Sequence, residues 1–515
     1  MIYPRLMQAL LPAISTKLSY VLSFLCGCGL TLTFAPYSAW WLSWFVLPLA
    51  FYLIEHSPRP VLAAWCFGLG WFGAGISWVH VSIATYGGLP LIASIGLMFL
   101  LAAYLALFPM LAFWLKARLF PTHPVLGLTL CWLAVEWVRS WMLTGFPWLS
   151  LGYSQTSAPW AHAAAWFGEI GLSTILVLTS ALIAFGRSHR YRLIACTFPL
   201  MAYLLPITPG ITATHNPFSL LLVQGNIKQE LRWAPEEEDA TMLKYMDLTR
   251  PYYETDLIIW PEAAIPAIEP MAQDYLANLD AALKFNQAGL ITGIIDYHFD
   301  SRHFFNSLIT LGQQQREQDE YRYGNSNRYN KHHLLPIGEF VPFQSLLRNI
   351  APLFNLPMSS FSRGDYIQQP LKANGLTVTP AICYEIAYPN QLMANFQSNT
   401  DLILTVSNDA WFGNSHGPHQ HLEIAQMRAI ELGRPVARAT NNGITAVITP
   451  DGFIEKRAPQ FVATTLSARV DRYTGVTPYT HWGNRPLYLA AALIAAGLLL
   501  LRWIKRHPQK SQGFN

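Results

Sequence analysis

The chain has 515 residues, of which 52% are hydrophobic and only 12% charged, against the roughly 25% charged of an ordinary soluble domain. That composition excludes a disordered chain and a nucleic-acid binder working through a basic surface. The formal charge of +4 is unevenly spread: residues 1–210 hold nine Lys/Arg and three Asp/Glu, residues 211–485 hold 21 and 27, and residues 486–515 hold four and none.

This distribution predicts three parts: a membrane domain over 1–210, an acidic soluble domain over 211–485, and a final span with a basic tail over 486–515. Crossing a hydrocarbon core takes about 20 apolar residues in a helix. Stretches of that order lie near 10–28, 36–54, 61–80, 89–114, 124–142, 161–185, 193–209 and 487–504, seven before the soluble block and one after it. Basic residues near span ends favour the cytoplasmic side. Arg5, Arg59, Lys116 with Arg118, Arg187 with Arg190 and Arg192, and the group Arg502, Lys505, Arg506 and Lys510 occupy every second connection. Residues 35–38, 81–89 and 144–160 contain no Lys or Arg. Both termini are therefore expected in the cytoplasm and residues 211–485 outside it, in a bacterium the periplasm. The first span has the basic start of a signal peptide, but the spans that follow at once favour an anchor. Glu136 and Arg139 share a helical face and can pair, either as a structural ion pair or as a lipid-headgroup contact.

From Phe218 onward short apolar runs are bounded by turn residues. Strands are expected at 220–224, 256–260, 290–295, 307–311, 377–383, 402–406, 436–440 and 445–449, with helices over 271–285 and 419–432. Mostly apolar strands alternating with amphipathic helices predict an α/β layered domain. The polar stretch 313–330 reads as a surface loop or edge hairpin.

Five of the six cysteines, Cys26, Cys28, Cys66, Cys131 and Cys196, fall in or beside expected spans, which leaves Cys383 alone in the soluble block. A lone thiol there is either a small buried apolar residue or a nucleophile. Its position at the carboxyl end of an expected strand favours the second, because reacting groups of open α/β sheets gather there. Thiol chemistry needs a base and a cation to hold carbonyl charge. Glu262, in Trp260-Pro261-Glu262, and Lys331, in Tyr329-Asn330-Lys331-His332-His333, supply these types. Taken singly, each is more readily read as a turn carboxylate (Glu262) or a solvated surface charge (Lys331) than as a catalytic group.

Taken together, the order Glu262, Lys331, Cys383 resembles the carbon-nitrogen hydrolase (nitrilase) superfamily over about Phe218 to Asp471. Further segments carry the likeness: Gly145-Phe146-Pro147-Trp148, Val223-Gln224-Gly225-Asn226, Gly338-Glu339-Phe340-Val341-Pro342, Cys383-Tyr384-Glu385, Ser407-Asn408-Asp409-Ala410-Trp411-Phe412 and Arg438-Ala439-Thr440-Asn441-Asn442-Gly443. With its eight spans, the whole chain is similar to the superfamily's membrane-bound branch that acylates lipoproteins. The resemblance implies an αββα sandwich and a Glu-Lys-Cys triad, with Glu262 as general base, Lys331 stabilising the oxyanion and Cys383 as nucleophile. It implies two half-reactions. An acyl chain passes from a membrane phospholipid such as phosphatidylethanolamine to Cys383. The α-amine of the diacylglyceryl-cysteine of an apolipoprotein then takes it from the thioester. Glu339 and Glu385 are implied to position Lys331 and the nucleophile; Tyr384 offers a backbone N–H to the oxyanion, and Trp233, Tyr384 and Glu431 line or support the site. Residues 352–361 and the pair Trp411-Phe412 are read either as an acyl-contacting lid or as internal packing. No cofactor, metal or nucleic acid is expected, and the protein is expected to act as a monomer. His416, His419 and His421 lie close enough for a zinc reading, but Gly417-Pro418 marks a helix start there. Two alternatives stay open: a membrane-tethered amidase or nitrilase acting on a small soluble substrate, and a transporter or sensor whose exported domain only binds ligand.

Overall fold

In a computed structural model, the described residues are 16–186, 188–314, 321–336, 338–340 and 361–507. They divide into two compact units, one from Met1–His80, Leu91–Leu205 and Trp482–Asn515, the other from Val81–Pro90 and Pro206–His481.

The first unit is helical, and each expected span contains a helix: Thr16–Leu30, Ser43–Glu55, Pro60–Gly75, Leu91–Leu105 continued by Leu107–Leu119, Pro124–Arg139, Ala164–Phe185, His189–Tyr203 and Arg485–Arg506. Three are long and apolar enough to cross a membrane: Leu91–Leu119, Ala161–Phe185 and Arg485–Arg506. Pro60–Gly75 joins them only when counted with Val79–Thr85 across a bend. Ser43–Glu55, Pro124–Arg139 and His189–Tyr203 have 13 to 16 residues, fewer than the apolar stretches that suggested them, because turns and short 3₁₀ segments take up the ends. Thr16–Leu30 and Pro60–Gly75 meet backbone to backbone. A Cβ on Gly27 would lie 2.1 Å from the Phe67 carbonyl oxygen and one on Gly70 2.1 Å from that of Phe24, so only glycine fits at either crossing point.

Glu136 and Arg139 form an ion pair at 3.8 Å, both buried within the unit. Arg139 Nη1 also donates to the carbonyls of Phe146 (2.7 Å) and Trp148 (2.8 Å). Of the two readings of this pair, the structural one holds: the guanidinium pins the Gly145–Trp148 segment.

The second unit has fourteen described strands: β1 Ile211–Ala213, β2 Phe218–Gln224, β3 Leu257–Ile259, β4 Gly289–His298, β5 His303–Gly312, β6 Arg328–Asn330, β7 Leu371–Ala373, β8 Leu376–Ile382, β9 Leu402–Ser407, β10 Val436–Thr440, β11 Ala446–Ile448, β12 Ile454–Arg457, β13 Thr464–Val470 and β14 Tyr473–Gly475. They form two six-stranded sheets, in the orders β13-β2-β3-β4-β5-β6 and β12-β11-β10-β9-β8-β7, plus the small pair β1-β14. Strands β2, β3 and β4 run parallel, as do β8, β9 and β10.

Side-chain alternation decides the layering. Leu220, Leu222, Leu257, Ile259 and Ile291 of one sheet share a core with Val378, Ile382, Leu404, Val406, Ala437 and Ala439 of the other. The opposite face of the first sheet, through Leu221, Val223, Ile258 and Ile294, packs on Met242, Tyr245, Leu276, Leu279 and Leu283 of helices Glu238–Thr249 and Gln273–Phe285. Helices Pro389–Asn395 and Gly417–Leu432 lie against the second sheet. The result is the expected αββα sandwich. Both faces of the parallel strands are covered, which is why they read as continuous apolar runs.

Six strands lie outside the expected set: β1, β6, β7, β12 and β14 have only three or four residues, and β13 has seven, in which Leu466, Ala468 and Val470 alternate with Ser467 and Arg469. Polar stretch 313–330 is one case: its end is the edge strand β6, whose Arg328 pairs with Glu269 (2.9 Å) and Asp296 (2.8 Å) inside the unit.

Candidate active site

The parallel strands deliver their carboxyl ends to one place. Glu262 follows β3 in a turn through Ala263, whose φ is +43°. Gly293 of β4 lies against that turn, and a Cβ on it would fall 2.2 Å from the Ala263 nitrogen. Lys331 follows β6 and is fixed by its own N–H, which donates to the Asn306 carbonyl of β5 at 2.8 Å. Cys383 follows β8 with φ +53°, a left-handed conformation that a non-glycine residue adopts at a cost. All three side chains are buried.

Lys331 Nζ sits 3.1 Å from Glu262 Oε1 and 2.9 Å from Glu339 Oε1. Asn306 Nδ2 donates to the same two oxygens, at 2.8 and 3.0 Å. The Asn408 backbone N–H donates to Glu262 Oε2 at 3.0 Å, and the next residue back, Ser407, places its Oγ 3.4 Å from Cys383 Sγ. Thus base, cation and thiol belong to one continuous polar cluster.

Electrostatics divide the roles. Burial alone would raise the Glu262 pKa, but Lys331 and Arg232 outweigh it and hold the carboxyl below its usual range. Burial works against the Lys331 ammonium, yet the two carboxylates beside it keep it protonated, its pKa well above normal. Burial, followed by the Glu262 charge, pushes the Cys383 thiol up to about 12, with Lys331 and Ser407 pulling the other way. The resting site therefore holds a carboxylate, an ammonium and a neutral thiol.

Glu385 couples the cysteine turn to the lysine segment. Its Oε2 accepts from the Ile382 N–H (2.8 Å) and Tyr329 hydroxyl (3.0 Å), and its Oε1 from the N–H groups of His332 (2.8 Å) and His333 (3.1 Å) and from Gln391 Nε2 (3.0 Å). Glu339 touches Lys331 directly and anchors its own loop by accepting from the Leu335 N–H at 2.8 Å. Tyr384 is buried edge-on to Tyr388, with ring centroids 5.2 Å apart.

Other expected residues are placed elsewhere. Trp233 is 40% exposed, and the Arg232 guanidinium lies over its ring at 5.5 Å. It is Arg232 that reaches inward, donating to the Glu262 and Ala263 carbonyls. Phe412 packs edge-on to the His421 ring at 6.1 Å, which favours internal packing over acyl contact; Trp411 is half-buried and its carbonyl accepts from Ser82 Oγ at 2.6 Å. Glu431 pairs with Arg428 at 3.1 Å. It lies ten residues along helix Gly417–Leu432 from His421, about 15 Å at 1.5 Å per residue, so it braces that helix rather than lining the site. Residues 352–360 of the suggested lid lie outside the described residues.

A second buried group backs the cysteine. His421 Nε2 donates to the Cys383 carbonyl at 3.0 Å, Arg438 Nη2 donates to Asp409 Oδ2 at 2.6 Å and to His421 Nδ1 at 3.1 Å, and Ser407 Oγ lies 2.6 Å from Asp409 Oδ1. Burial and the Arg438 charge lower the His421 pKa, so its ring is neutral. His421 is thereby occupied by protein partners; His419 is half-buried. Sequence reasoning assigned no role to Arg232, Asn306, Ser407, Asn408, Asp409 or Arg438, and considered His421 only as a zinc ligand. Four of these lie in the quoted segments 407–412 and 438–443, which was the available signal.

Two family models match the chain: the apolipoprotein N-acyltransferase N-terminal domain over residues 26–182 and carbon-nitrogen hydrolase over residues 222–479. The apolipoprotein N-acyltransferase of Shewanella oneidensis is 47% identical, covering 96% of this chain and 97% of that protein. Its namesake from Vibrio cholerae is 48% identical over 92% and 94%, and that of Haemophilus influenzae 37% identical over 95% and 96%.

Proposed function

The chain belongs to the apolipoprotein N-acyltransferase family, acyltransferases of lipoprotein maturation, and from that premise we propose that Cys383 carries the acyl group between its two lipid substrates as a thioester. The observation that carries this reading is the Glu262–Lys331 pair, which lies in the same polar cluster as the buried Cys383.

In the first half-reaction Glu262 takes the Cys383 proton and the thiolate attacks the ester carbonyl of a phospholipid. Negative charge moves to the carbonyl oxygen, where Lys331 and the Tyr384 backbone N–H stabilise it. As the ester C–O bond breaks, Glu262 returns the proton to the departing alkoxide, releasing a lysophospholipid. In the second, the α-amine of diacylglyceryl-cysteine attacks the thioester, Glu262 takes the amine proton, the C–S bond breaks and the thiolate is reprotonated. The enclosure of Cys383 keeps water from the thioester, so transfer wins over hydrolysis.

The protein is a membrane protein, and its acceptor and donor are a lipoprotein and a lipid. The finer reading rests on the distribution of Lys and Arg: eight spans in the bacterial inner membrane, both termini cytoplasmic, and residues 211–485 as a periplasmic catalytic domain. Phosphatidylethanolamine as donor and action as a monomer belong to the same proposal.

Mass spectrometry of the purified enzyme incubated with phosphatidylethanolamine and no acceptor tests the first half-reaction. An added acyl mass on the Cys383 peptide is expected, absent from Cys383→Ala. An unmodified Cys383 under conditions where N-acylation proceeds would refute the thioester. An amidase of small soluble substrates would leave the phospholipid intact.

A further inference from the structure

Ser407 stands between the nucleophile and a carboxylate. Its Oγ lies 2.6 Å from Asp409 Oδ1 and 3.4 Å from Cys383 Sγ, and all three side chains are buried. A hydroxyl has one proton and cannot donate to both acceptors at once. Which one it serves depends on the charge of the sulfur. A neutral thiol or thioester sulfur is a weak acceptor, so the proton stays with the Asp409 carboxylate. A thiolate is an anion in a low-dielectric site and competes for the same proton through rotation about one bond.

We propose that Ser407 is a catalytic residue of this enzyme: its hydroxyl turns from Asp409 to Cys383 whenever the sulfur carries negative charge, stabilising the thiolate before attack and again as it leaves the thioester. The proposal rests on the reading of Cys383 as the thioester nucleophile. No bond to the serine oxygen is made or broken; Glu262 remains the proton acceptor, and Ser407 only redirects a hydrogen bond. Such an interaction accelerates chemistry because it is stronger for the thiolate than for the neutral sulfur on either side of it.

The surroundings support a hydroxyl that turns within a fixed frame. Asp409 does not depend on Ser407 to remain ionised: burial would raise its pKa, but Arg438, 2.6 Å from Oδ2, holds it far below the usual range. His421 in turn holds the Cys383 carbonyl, which restrains the backbone that carries the thiol. The charged groups that act on the thiol are Glu262, Lys331, Asp409 and Arg232, with Arg438 and His421 packed behind them against Asp409 and the Cys383 carbonyl. Among these, Lys331 is committed to two carboxylates and then to the oxyanion, which leaves Ser407 as a donor aimed at sulfur.

The test compares Ser407→Ala and Ser407→Thr with the unaltered enzyme in detergent. Single-turnover acylation of Cys383 at saturating phosphatidylethanolamine is expected to slow by about 10- to 100-fold in Ser407→Ala, the loss of one hydrogen bond to a charged group. The half-saturating phospholipid concentration should not change. Iodoacetamide alkylation of Cys383, followed by peptide mass spectrometry between pH 7 and 9, should slow by a similar factor, because both reactions draw on the thiolate. Ser407→Thr, which keeps the hydroxyl, should recover the alkylation rate. An unchanged alkylation rate in Ser407→Ala, or equal losses in Ala and Thr, would overturn the proposal, the second by pointing to packing. Cys383→Ala is run in parallel. If it still N-acylates lipoprotein, the thioester reading fails; if it is inactive while Ser407→Ala matches the unaltered enzyme in both assays, only the serine assignment fails.

Discussion

Replacing Lys331 separates the charge compensation its ammonium provides to two buried carboxylates from the oxyanion stabilisation proposed for it. Lys331 Nζ lies 3.1 Å from Glu262 Oε1 and 2.9 Å from Glu339 Oε1. Lys331→Met leaves those carboxylates facing each other across the Asn306 amide with no cation between them. Removing one partner of a buried pair costs about 3–5 kcal/mol, a large part of the about 5–15 kcal/mol by which a domain is stable. The site escapes by taking up a proton, since two carboxylates sharing one position cannot both stay ionised. Glu262 then ceases to be a reliable base, and the single variant confounds both tasks. The double variant Lys331→Met with Glu339→Gln removes the excess charge. Glu262 keeps Asn306, the Asn408 N–H and the nearby Arg232 charge, so the base survives while the oxyanion donor is absent. The double variant should regain at least half of the lost stability by thermal melting. Its thioester formation, followed by quenched mass spectrometry of Cys383, should remain about 100- to 1,000-fold slow, the usual effect of losing one oxyanion donor. A double variant that melts near the unaltered enzyme and acylates at full rate would remove Lys331 from the chemistry and leave it only a structural counter-charge.

Glu385→Gln keeps one oxygen where the carboxylate uses two, so either the Ile382 N–H and Tyr329 hydroxyl on one side or the His332 and His333 N–H groups and Gln391 on the other lose their acceptor. That should destabilise the unit by about 1–3 kcal/mol and slow thioester formation by relaxing the turn that holds Cys383 at φ +53°; an unchanged acylation rate would show that the turn holds without it. The lowered pKa of Glu262 predicts where acid acts. Its contribution to stability is fully present above the ordinary carboxylate value of about 4.3 and is lost only as pH falls through the lower folded value. Thioester formation should therefore show no Glu262 limb between pH 7 and 5; a limb centred near pH 6 that Lys331→Met leaves in place would contradict the assignment.

What the sequence disclosed depended on how each residue relates to the backbone. Cys383 and Glu262 were legible because each ends an apolar run, and an apolar run ending in an ionisable group marks the carboxyl end of a strand whose faces are both covered. Cys383 had the further advantage of being the soluble block's only thiol. Lys331 follows a strand of three residues, β6, too short to read, so it was recognised through its place in the order Glu, Lys, Cys. The strands β1, β7, β12 and β14, of three or four residues, were lost for the same reason as β6, since alternation needs length to show. β13 is different: its seven residues do alternate, with Leu466, Ala468 and Val470 toward the core and Ser467 and Arg469 outward, so its absence from the expected strands was not for want of a signal.

Residues the sequence left without a role share a different property: their meaning lies in what the fold brings to them. Arg232 looks like a solvated charge beside Trp233, and in the structure it is the tryptophan that faces outward while the arginine reaches the Glu262 carbonyl. Asn306 is a polar residue inside a strand, intelligible only once β5 sets it between two carboxylates. Three histidines over 416–421 looked alike, yet a helix beginning at Gly417 turns His421 into the core, where Arg438 fixes its protonation and the Cys383 carbonyl accepts a hydrogen bond from its Nε2–H. Asp409 and Arg438 follow or belong to different strands, and no spacing rule links them. The local pattern therefore identifies which groups can react. Their pKa values and orientation come from burial and from partners far away in the chain, and it is on those partners that the proposed roles of Glu262 as base and Ser407 as donor to the thiolate depend.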